Sequence, residues 1–145
     1  MIKKCLTVLT MLLIFQVIGM GSVSGEGNRF WLPSDGTVVD NHTGLQWEQG
    51  YGSHGNWIQA LAYCENLELA NYSDWRLPNI KELQTIIDSS KLNPSVFLEF
   101  SCQADPYWSS STYISGVLYA WSVDFDKGRI SHQSKNDGAY IRCVR

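Results

Sequence analysis

The chain has 145 residues and carries 11 basic against 14 acidic side chains, a formal net charge of -3. That balance argues against nucleic acid as a partner, because a phosphate backbone is bound by a basic surface that this chain lacks overall. The length is enough for one hydrophobic core and too short for two, so a single domain is expected.

Lys3 and Lys4, an apolar stretch from Leu6 to Ile18 and the small residues Gly19, Gly21, Ser22 and Ser24 read as a Sec-type signal peptide over residues 1–24. The stretch is shorter than the roughly 20 apolar residues that cross a bilayer. Cys5 precedes it and so cannot be the acylated cysteine of a lipoprotein signal. The expected product is an exported domain over residues 25–145, periplasmic or extracellular, with no membrane insertion after cleavage. Loss of Lys3 and Lys4 leaves nine basic against fourteen acidic residues, a net charge of -5.

Arg29 to Leu32 and Thr37 to Asp40 read as strands joined by a Pro33-Ser34-Asp35-Gly36 turn, and Asn41 to Gly44 turns the chain into a third strand at Leu45 to Trp47. The glycine-rich run Gly50 to Asn56 reads as a loop. Asn56 caps a predicted helix running from Trp57 to about Ala70, with Gln59 placed to complete a capping box. Pro78 holds Trp75-Arg76-Leu77 extended. Asn79 and Glu82 form a second capping box, ahead of an apolar stripe of Ile80, Leu83, Ile86 and Ile87. Lys91 to Pro106 has no clean period, and a loop of that length in a small domain is usually functional or poorly ordered. Strands follow at 108–113, 118–125, 129–132 and 139–144, separated by Gly116 and by two Gly-containing turns. Strands, two helices and strands again make an α+β chain with antiparallel pairing.

Three cysteines remain beyond the signal segment. Cys64 lies on the apolar stripe of the first helix and Cys143 in the last strand, so these two are paired, and Cys102 is left as a free thiol. Trp47, Trp75, Trp108 and Trp121 sit inside strand-like motifs and read as core. Tyr51, Tyr107 and Tyr113 are less constrained by pattern and are the aromatic candidates for a ligand surface. Lys127, Arg129, Lys135, Arg142 and Arg145 concentrate in the last fifth of the chain, and Lys127 and Arg129 join the candidate ligand set. Asp74 and Arg76 could hold a polar ligand, and an internal ion pair or a backbone-bonding role is the favoured reading. Ser109, Ser110 and Ser111 lack a Gly-x-Ser-x-Gly elbow, and His42, His54 and His132 lack zinc spacing, so neither a catalytic residue nor a metal site is expected.

The motifs Asp35-Gly36-Thr37, Gly44-Leu45-Gln46-Trp47, Asp74-Trp75-Arg76-Leu77-Pro78, Tyr107-Trp108-Ser109-Ser110, Ala120-Trp121-Ser122-Val123 and Ile141-Arg142-Cys143-Val144-Arg145 follow in an order that resembles the Lcl C-terminal domain family. That family was formerly catalogued as a domain of unknown function and takes its name from the end of a collagen-like adhesin. The resemblance covers nearly all of residues 25–145. It implies a C-type-lectin-like fold with two helices flanking antiparallel sheets, and it implies recognition of a glycan, such as a sulfated glycosaminoglycan, or of a surface protein. Calcium-dependent sugar binders of that fold use Glu-Pro-Asn or Gln-Pro-Asp with Trp-Asn-Asp. Asn93-Pro94 lacks the preceding acid and Trp121-Ser122-Val123-Asp124 has the wrong spacing, so calcium is unsupported by motif and no cofactor is expected. The leading expectation is a non-enzymatic recognition domain acting through the loop-rich face between Lys91 and Gly138. Its rivals are an assembly module of a surface appendage or oligomer and, third, a cysteine-dependent enzyme resembling the formylglycine-generating enzymes.

Overall fold

A computed structural model describes residues 28–145, so the signal peptide expected over residues 1–24 lies outside the described residues. The first strands, β1 (Phe30–Trp31), β2 (Thr37–Asp40) and β3 (Leu45–Glu48), form an antiparallel meander. Its two turns need left-handed backbone, and glycine supplies it at Gly36 (φ 84) and Gly44 (φ 73). A second sheet has the order β4-β8-β5-β6-β7, built from β4 (Gly52–Gly55), β5 (Pro106–Thr112), β6 (Tyr119–Asp124), β7 (Arg129–Ser134) and β8 (Ala139–Ile141). The described residues are therefore α+β, with two sheets and two helices.

Three expectations need correction. Gly50 to Asn56 is not all loop, since Gly52–Gly55 pairs with β8 as an edge strand. Glycine serves packing here, because a Cβ on Gly52 would lie 2.7 Å from the ring of Tyr63. The sheet is also not wholly antiparallel, since β5 and β8 run parallel at Tyr107 and Tyr140. Parallel neighbours need a long connection, and the β6–β7 hairpin is part of it. The third correction concerns α1 (Trp57–Glu65), which has the predicted Asn56 and Gln59 capping box but stops well short of Ala70. Ala70 (φ 54) and Asn71 (φ 63) turn left-handed, and the resulting Leu69–Tyr72 hairpin delivers Leu67 and Leu69 to the core around Trp75.

The second helix, α2 (Ile80–Gln84), carries the predicted box complete, with Asn79 accepting from the N–H groups of Lys81 and Glu82 and Glu82 accepting from that of Asn79. Glu82 also takes both arms of the Arg76 guanidinium at 2.8 and 2.7 Å, while Asp74 holds Arg145. Both residues of that arm are in internal ion pairs, with different partners.

The five-stranded sheet separates two cores. On one side α1 covers Trp75, Leu77, Trp108, Ala120, Ile141 and the Cys64–Cys143 disulfide. On the other, α2 packs over Tyr107, Val123 and Phe125, and the small sheet adds Phe30, Val38 and Trp47. Residues 142–145 lock the layers together. Val144 bridges both Trp47 and Arg76, and the fully buried Arg142 guanidinium donates to the carbonyls of Glu48, Gln49 and Ser101.

Glu48 is a buried carboxylate that accepts the Tyr63 hydroxyl at 2.7 Å and the Cys143 N–H at 3.2 Å. Burial outweighs those bonds and pushes its pKa up. A carboxyl whose folded pKa is raised retains its proton more readily in the folded chain, so its contribution to stability falls as pH rises above the unfolded value. Denaturation midpoints between about pH 4 and 7 should therefore fall more steeply with pH for the native chain than for Glu48→Gln. Parallel profiles would show that the site does not hold the proton. The Cys64–Cys143 bridge spans 79 residues, and chain entropy puts its contribution at about 4 kcal/mol before native strain is subtracted. Cys143→Ser should lower the unfolding free energy by about 2 to 4 kcal/mol, while peptide mapping of the native chain recovers Cys64 with Cys143 and Cys102 alone.

Candidate functional site

Along β6 the side chains alternate. Ala120 and Ser122 face inward and are fully buried, while Tyr119, Trp121 and Val123 share the opposite side. Val123 lies in the core beneath α2. Further along the same side Trp121 is half-buried and Tyr119 is exposed. The β6–β7 register sets His132 directly opposite Trp121. Tyr113, just past the end of β5, stacks on the His132 ring with centroids 4.1 Å apart and planes 4° from parallel. It also meets Trp121 edge-on at 5.0 Å, and Tyr119 closes on His132 at 6.0 Å. These four rings make a partly exposed aromatic platform on the outer strands of the sheet.

The sequence-predicted candidates do not converge. Tyr113 belongs to the platform. Tyr107 is 0% exposed, which overturns its assignment to a ligand face. It stacks on Tyr140 and packs edge-on against Phe125, its hydroxyl accepts the Gln103 N–H, and burial pushes its pKa up. Tyr51 is half-buried, edge-on to Tyr107 and Tyr140, and its hydroxyl accepts from Gln103. Lys127 and Arg129 are exposed around the β6–β7 turn, where Arg129 faces Asp124 across the ladder. That turn is at the far end of β6 from Tyr113, roughly 17 Å away for a strand of this length.

The basic cluster contracts as well. Arg142 is buried, Arg145 is paired with Asp74 and lies over the Tyr72 ring, and Lys135 lies over Trp57. Sequence reasoning missed Tyr119 and His132 and placed Trp121 in the core. Position in a motif conceals how far each residue along a strand is covered. Cross-strand register, which sets Trp121 against His132, was the signal that could have found them.

Several polar residues outside the platform have structural partners. Ser109 donates to the Trp121 carbonyl and Ser111 accepts the Ile80 N–H. Cys102 is half-buried, and burial pushes its thiol up, against thiolate chemistry. No three His, Cys, Asp or Glu side chains among the described residues are grouped to hold a metal ion. The irregular stretch after α2 forms an open groove of about 360 Å³ whose lining is apolar, from Leu92, Pro94, Val96, Phe97, Leu98 and Phe100, apart from Lys91.

The sequence model described as Lcl C-terminal domain matches residues 36–145, which takes in both helices, the aromatic platform and the disulfide. No curated protein is similar enough to the chain to count as a relative.

Core and surface tyrosines should separate cleanly on mutation. Tyr107→Ala should destabilise the fold by about 3 to 5 kcal/mol, as large-to-small changes in a core do, whereas Tyr113→Ala should cost about 1 kcal/mol or less. Urea denaturation of both variants checks this, and equal losses would place Tyr113 in the core.

Proposed function

The chain belongs to the Lcl C-terminal domain family, and on that premise we propose that it is a non-enzymatic exported recognition domain of C-type-lectin-like fold, binding a glycan on the Tyr113, Tyr119, Trp121 and His132 platform. The observation that carries this reading is the stacked Tyr113–His132 pair edged by Trp121 on a half-exposed sheet face. Flat aromatic faces pack against the C–H face of a sugar ring, and their polar edges bond its hydroxyls. Stacking and hydrogen bonding suffice for this chemistry, so the reading calls on no cofactor. Lys127 and Arg129 stand apart from the platform, so a sulfated polymer would need several sugar units to reach both.

Export is supported by the disulfide, which persists in oxidising compartments. Among the described residues no helix is long and apolar enough to cross a membrane. An assembly or protein-interaction module is the second reading, and β7 favours it. This strand is a sheet edge with Ile130 exposed, and an edge can accept a strand from another chain. Sedimentation at several concentrations separates the two, since self-association would favour the second. A cysteine-dependent enzyme is the weakest reading, given the raised thiol of Cys102.

A glycan array followed by titration of the best sugar tests the platform. Trp121→Ala and Tyr113→Ala should each weaken binding by about 1 kcal/mol or more with the fold retained. A blank array across neutral and sulfated sugars would count against a glycan ligand.

A further inference from the structure

The connection between β5 and β6 carries three strongly exposed apolar side chains within five residues. Ile114 is 92% exposed, Val117 75% and Leu118 71%. From Pro106 through Val123 the sequence has no charged residue. The tip also folds back on itself. The Tyr113 N–H donates to the Tyr119 carbonyl, the Gly116 N–H to Tyr113 and the Tyr119 N–H to Gly116, while the Leu118 carbonyl accepts from Lys135.

We propose that this hairpin tip is a membrane-surface anchor, in which Ile114, Val117 and Leu118 enter the interfacial layer of a lipid bilayer and hold the domain against it. A lipid surface suits the tip in three respects. Desolvating it strips no charge, and the internal backbone bonds reduce the number of polar groups that lose water. The groups left unbonded confine insertion to the headgroup boundary, the depth of interfacial segments. Tyr113, Tyr119 and Trp121 stand immediately behind the apolar residues, as amphipathic rings do at a membrane interface. Lys135 stands beside them, its ammonium on the Thr112 hydroxyl and over the Trp57 ring, and on leaving that ring it would meet lipid phosphates. The proposal goes beyond sugar recognition, because Ile114, Val117 and Leu118 take no part in the stacked platform.

The test is flotation of the mature protein with phosphatidylcholine vesicles and with equimolar phosphatidylcholine and phosphatidylglycerol vesicles, for the native chain and the I114S/V117S/L118S variant. The native chain should float with both, and the variant's partition should fall by about tenfold or more, since apolar burial at this interface rests on those side chains. Leu118→Trp in the native background provides a second readout. Its emission should shift to the blue on adding vesicles, beyond any shift of the native chain. A native chain that stays at the bottom of the gradient, a triple variant that floats as well as the native chain, or a Leu118→Trp emission unchanged by vesicles overturns the proposal. So does self-association of the native chain through the tip without vesicle binding, which would make the tip an interface between copies. Sugar titration of the triple variant keeps the two ideas apart, because platform binding should persist whichever way the vesicle arm falls.

Discussion

The guanidinium of Arg142 is the constraint around which the domain is organised. It is fully buried, and instead of a carboxylate its donors meet the carbonyls of Glu48, Gln49 and Ser101. A buried charge is costly unless hydrogen-bonded, and charged bonds of this kind contribute about 1.5 to 3 kcal/mol each. The charge also lies over the rings of Phe100 and Tyr107, where ring quadrupoles add attraction. One side chain thereby fixes the exit from β3, the start of the turn into β4 and the irregular stretch that precedes β5. Its neighbours extend the effect. Cys143 bonds to α1 and Val144 bridges the small sheet and the Arg76 arm. Arg145 returns to Gln46.

This arrangement explains how the described residues, with only two small helices among them, hold two sheets together. The helices contribute little span, yet each is capped at its start by asparagine and a side chain three residues on. The sheet between the cores is anchored on one face by a covalent bridge and on the other by aromatic edges. The aromatic platform and the apolar hairpin tip both emerge at the end of β5 and β6 remote from Arg142. Surface rings and loops can vary there without touching the residues that close the fold.

Much of this was legible in the sequence because it depends on local signals. Asn56 with Gln59, and Asn79 with Glu82, announce helix starts through donors that need partners. The cysteine pairing followed from Cys64 lying on an apolar stripe and Cys143 in a strand. Trp47, Trp75 and Trp108 were correctly read as core. What escaped depends on tertiary context. Arg142 counts as one more basic residue until three carbonyls are seen around it. Tyr107 has the same alternation as a surface tyrosine, and only α2, β8 and the stretch around Gln103 make its position interior. Trp121 shares a strand with buried residues but is itself half-buried, among the rings of the outer strands. The Gly52–Gly55 strand lacks the branched and aromatic residues that mark strands, and forms because β8 offers an open edge and Tyr63 needs bare backbone beneath it. The family resemblance came from motif order, and the platform from register, which motif order does not encode.

The placement of residues 142–144 has a consequence for the order of events during synthesis. The layers of the domain wait on a segment that follows the described strands and helices. Strand β3 gains its Val144 partner and α1 its covalent tie only after the ribosome has passed these positions. Until then Trp47, Cys64 and the unpaired edge of β3 are exposed together, the state in which chains misassociate. Completion is therefore late and cooperative rather than progressive, and its long-range pairings place it among slowly closing topologies.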